Sequence, residues 1–83
     1  MANKAEIKKK IAKAKREIKT LEQKRLRSQG NLLEAFVDKQ EPSKSDVDYF
    51  KTLSSLIRLQ RETLHLLEEE LLEQEQAQPQ EQE

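Results

Sequence analysis

The sequence predicts an all-α protein, one antiparallel two-helix hairpin of coiled-coil type. Three observations carry this. Two stretches place apolar residues at alternating steps of three and four, which is a heptad seam. One proline-containing segment, "KQEPSKSD", separates them. The charge is also split by position. Residues 1–30 hold eleven Lys/Arg and three Asp/Glu, a net of +8, and residues 62–83 hold eight Glu with no Lys or Arg, a net of −8. Residues 31–61 hold five of each sign.

The first helix is expected over about residues 3–39. Asn3 reads as its N-cap, with Glu6 three residues on as a capping-box partner. Ile7, Ile11, Ala14, Ile18 and Leu21 then form the seam, which continues through Arg25, Ser28, Leu32 and Ala35. On an ideal helix Phe36 also falls on this side. Gly30 divides the readings. A continuous helix accepts it at a cost of ~1 kcal/mol and could kink there. A broken helix would end at Gly30 and restart with Asn31 as a new N-cap. We expect the continuous form.

Residues 40–45 read as the loop, because Pro42 disfavours helix at Glu41. Ser43 or Ser45 can cap the second helix, with Asp46 or Asp48 in its first turn. That helix is expected over about 46–75, with a seam at Phe50, Leu53, Ile57, Gln60, Leu64, Leu67 and Leu71. The hairpin would therefore span residues 1–76, and the Gln/Glu-rich residues 76–83, broken by Pro79, read as a disordered tail.

Folding the chain about residue 42 puts residue x near 84 − x, so Ile18 would lie near Leu66 and Leu32 near Leu53. The lysine-rich block from Lys8 to Arg16 then runs beside the block from Glu68 to Glu75. Parallel pairing of separate chains would stack like charges, which disfavours it. Exposed pairs contribute only ~0–1 kcal/mol each, so their expected role is to select the antiparallel pairing. Stability is expected from a cluster near the loop: Leu32, Leu33, Phe36, Tyr49, Phe50, Leu53, Leu56 and Ile57, each contributing roughly 1.5–3 kcal/mol when buried. Arg25 and Gln60 would fall near each other, either as a polar layer that fixes register or with both side chains extending to solvent.

Composition narrows function. Charged residues are 39% of the chain, aromatics 4%, and cysteine is absent. That rules out disulfides and thiolate metal sites. His65, the single histidine, cannot assemble a metal site alone, and Glu68, Glu69 and Glu70 would need an enclosed cleft to act as acid and base. No enzyme, metal or cofactor is therefore expected. No apolar run approaches the ~18 residues of a membrane span, and no secretory signal is visible, so a cytoplasmic protein is expected.

A two-helix hairpin cannot cover its core from both sides. Leu26, Val37, Leu56, Leu59, Leu66 and Leu67 are therefore expected to form a second contact face, for a homodimer or a partner helix. Nucleic-acid binding is the rival reading, through Lys8, Lys9, Lys10, Lys13, Lys15 and Arg16. Residues 1–30 contain no aromatic for base stacking, and the chain's own acidic segment competes for the lysines.

In periodicity the chain resembles two kinds of small helical hairpin. One is the short chaperones of secretion systems, which sequester an amphipathic helix. The other is the oligomerising helices of phage DNA-packaging small subunits, where a stretch like "KTLSSLIRLQRE" would be in place. The likeness implies an interaction or assembly role and transfers no functional residue.

Overall fold

The computed structural model describes residues 3–77 and contains two α-helices, α1 (Lys4–Val37) and α2 (Lys44–Ala77). They pack against each other along their length as an antiparallel hairpin, giving a rod of 65 × 15 × 15 Å. The tail expected from residue 76 lies, beyond Ala77, outside the described residues, and Gln76 and Ala77 belong to α2.

Each helix starts where a side chain can satisfy its free amides. Asn3 accepts from the Glu6 amide at 2.8 Å, and Ser43 accepts from the Asp46 amide at 3.2 Å. α1 ends at Val37, earlier than the expected 39, through a Schellman arrangement. The Lys39 amide donates to the Phe36 carbonyl and the Gln40 amide to the Ala35 carbonyl, with Lys39 in the left-handed region at φ 56°. Gly30 lies within one uninterrupted helix, its φ is not positive, and no heavy atom lies near the position a Cβ would take.

The loop is thus 38–43 rather than 40–45, and this resets the register. Both helices have 34 residues and rise equally per residue, so residue x is level with about 81 − x rather than 84 − x. Ile18 is then level with Thr63, beside the seam residue Leu64, rather than with Leu66.

The seam itself follows the heptads. On α1, Ile7, Ala14, Ile18 and Ser28 are buried, and Ile11, Leu21, Arg25, Leu32 and Ala35 are half-buried. On α2, Leu53 and Ile57 are buried, and Phe50, Gln60, Leu64, Leu67 and Leu71 are half-buried. The expected cluster near the loop forms only in part: Leu53 and Ile57 are buried and Leu32 and Phe50 half-buried. Leu33, Phe36, Tyr49 and Leu56 are exposed, because each helix has one neighbour and only the seam itself is covered. The fully buried side chains, Ile7 and Ile57, sit at the open end of α1 and the middle of α2.

Candidate functional site

Two contacts identify the two long sides of the rod. On one, Gln60 Nε2 donates to Glu17 Oε2 at 2.8 Å. On the other, Arg61 pairs with Glu22. The expected layer of Arg25 with Gln60 is therefore replaced. The shifted register sets Gln60 level with Leu21, within reach of Glu17. Arg25 instead lines the opposite groove beside Ser54, Ile57, Arg58 and Arg61.

The Glu17 side holds a continuous apolar stripe on α2: Tyr49, Thr52, Leu56, Leu59, Thr63 and Leu66. Each residue precedes a seam position by one, so the stripe is a second heptad pattern about 100° round the helix from the first. From Tyr49 to Leu67 neither pattern contains a charged residue. The stripe is open to solvent: Tyr49 is 50% exposed, Leu56 42%, Leu59 54% and Leu66 64%. Beneath it a groove of about 730 Å³ is lined by Lys13, Arg16, Glu17, Thr20, Leu21, Leu56 and Gln60. Apolar positions repeated at this spacing on an open helix face fit a second helix laid alongside.

The expected contact residues divide. Leu56, Leu59 and Leu66 share the stripe. Leu67 lies in the seam and is half-buried between the helices. Leu26 and Val37 are exposed on the Glu22 side, since Leu26 follows Glu22 by one turn and Leu33 and Val37 continue that line. Tyr49, Thr52 and Thr63 complete the stripe and were not expected there. Their signal is the position one before each seam residue.

The basic residues form no single surface. Lys8, Lys9, Lys10, Lys13, Lys15 and Arg16 are all exposed and surround α1 on every side but the seam. Lys13 approaches Glu17 of its own helix at 4.0 Å. Among the described residues these six basic residues make no ion pair with α2. His65 is exposed and pairs with Glu69 one turn on, at 2.7 Å. No group of three or more potential metal ligands is present among the described residues. No helix of the described residues is long and apolar enough to cross a membrane.

No protein family, curated protein or solved structure matches the chain.

Proposed function

We propose that the protein is a non-enzymatic interaction module, a small coiled-coil adaptor or assembly protein of the cytoplasm that works by presenting an apolar helix face. The supporting observation is the open stripe from Tyr49 to Leu66, which is free of charge over five turns of a chain that is 39% charged. A solvated helix face of this composition would carry Lys and Glu there. Keeping it apolar exposes the chain to aggregation unless a protein surface covers it. The test compares wild type with Leu59→Glu and Leu66→Glu, each read by sedimentation and by retention of proteins from a lysate. The wild type should associate, with itself or with a retained protein. The variants should keep their helicity and lose the association. Equal behaviour of wild type and variants would remove this reading.

A second reading has one observation in its favour. Lys8, Lys9, Lys10, Lys15 and Arg16 make no ion pairs among the described residues, so their charge is available to a polyanion. Retention on DNA that falls steeply with salt would support an accessory nucleic-acid role. Their spread around the helix, rather than along one face, favours the first reading.

A further inference from the structure

We propose that the occupant of the α2 stripe is the same stripe of a second copy, laid antiparallel across a twofold axis near residues 57 and 58. This rests on the interaction-module reading and names its partner. A twofold interface requires a surface that complements itself when reversed. The stripe has that property. Reversed about its centre, Tyr49 meets Leu66 of the second copy, Thr52 meets Thr63 and Leu56 meets Leu59. Large residues oppose large ones at the ends and in the middle, and the two threonines oppose each other between them.

The charges of α1 are complementary under the same operation. On the side that carries the stripe, α1 presents Lys10, Lys13 and Glu17 towards its open end, Lys24 and Arg27 at its middle, and Asn31, Glu34 and Asp38 towards the loop. The axis passes level with Lys24. Reversal about that point brings Lys13 opposite Glu34 and Lys10 opposite Asp38, while Glu17 meets the neutral Asn31. A parallel copy, related by a twofold along the rod, would set α1 away from α1 of the second copy and leave these opposite-charge pairs unformed. The antiparallel form gathers like charge at its axis, where Lys24 and Arg27 of the two copies stand near one another. The twofold sets α1 on α1 and α2 on α2, giving a four-helix bundle. The exposed side chains of the stripe offer roughly 400 Å² of apolar area per copy, about half of a standard interface's ~800 Å² per partner, so the α1 contacts supply the remainder.

The chain contains no cysteine, so one spin label per chain can be placed through Lys44→Cys, at the exposed first residue of α2. In the antiparallel bundle the two labels stand about 40 Å apart, from 1.5 Å of rise per residue, whereas parallel helices would bring them within about 20 Å. The expected result is a dimer by light scattering with the long distance, in which Leu59→Glu weakens association by more than ~100-fold while the helicity of the hairpin is retained. A dimer with the short distance overturns the proposal, because the stripes then pair in parallel. A monomer at all concentrations also overturns it. If that monomer retains a protein from a lysate through Leu59, the interaction-module reading survives with a different partner. If it retains none, both fall.

Discussion

Gln60 Nε2 donates to Glu17 Oε2 at 2.8 Å across the helix pair, and it does so from a seam position that heptad packing would fill with an apolar side chain. A polar group in a seam costs stability and in exchange fixes register, because the bond forms at one alignment only. Gln60→Leu should therefore raise the unfolding free energy by about 1 kcal/mol and broaden the association states seen by sedimentation. A variant less stable than wild type in urea would show that the charged acceptor contributes more than apolar packing at this level.

The location of the core predicts a contrast between two large apolar residues. Ile57 is almost fully buried, whereas Phe36 is 66% exposed. Truncating a buried Ile to Ala costs about 2–5 kcal/mol, while surface substitutions stay within about 0.5 kcal/mol. Ile57→Ala should leave little of the hairpin folded, and Phe36→Ala should be nearly silent by circular dichroism melts. The reverse order would move the centre of stability from the seam to the exposed apolar residues near the loop.

That contrast also explains what the sequence disclosed and what it concealed. The seam was legible because the 3-4 spacing is set by each helix alone. Ile7, Ala14, Ile18, Leu53 and Ile57 are at the heptad positions and are buried. Phe36 was misplaced because an ideal helix of 3.6 residues per turn returns to the direction of Ile7 at residue 36, whereas a supercoiled seam of period 3.5 returns at residue 35. The structure follows the second rule, with Ala35 half-buried and Phe36 exposed. The register was not legible, since it depends on where the chain turns. That position rests on the Ser43 cap and on the left-handed Lys39, and a non-glycine residue there gives no advance signal. The stripe from Tyr49 to Leu66 was visible only in part, because threonine at two of its six positions hides the repeat from a search for leucine.

Gly30 lies in the middle of α1 with open space where a Cβ would project. Gly loses more backbone entropy on helix formation than Ala and gains nothing here in return. Gly30→Ala should stabilise the hairpin by about 0.5–1 kcal/mol, read as a higher urea midpoint with an unchanged slope. Destabilisation would indicate a close neighbour at this position in the associated form of the protein.

The turn makes the opposite demand. Lys39 holds φ 56° to close the Schellman arrangement, a conformation that glycine adopts without steric cost. Lys39→Gly should raise stability by about 1 kcal/mol, and Lys39→Val should lower it by more than that, since a β-branched side chain is least compatible with this backbone. Equal stabilities for the three residues would mean that the turn relaxes to another geometry.

The charge distribution makes the last prediction. α1 carries Lys8, Lys9 and Lys10 near its N-terminus, where the helix dipole is already positive, and α2 carries Glu68 to Glu75 near its C-terminus, where the dipole is negative. Each helix is thus electrostatically wrong at its open end when alone and compensated when the two lie antiparallel. Direct bridges contribute little, since among the described residues no exposed lysine of α1 makes an ion pair with α2, so the compensation acts through the field of the blocks. Peptides spanning 3–37 and 44–77 should each be weakly helical, and mixing them should raise helicity above the sum. Raising the salt from about 0.01 to 0.5 M shortens the Debye length to below the separation of the blocks, so the gain on mixing should shrink and the intact hairpin should melt at lower temperature. A gain that is indifferent to salt would assign the antiparallel choice to the apolar seam and the short loop, and leave the lysines of α1 free for another role.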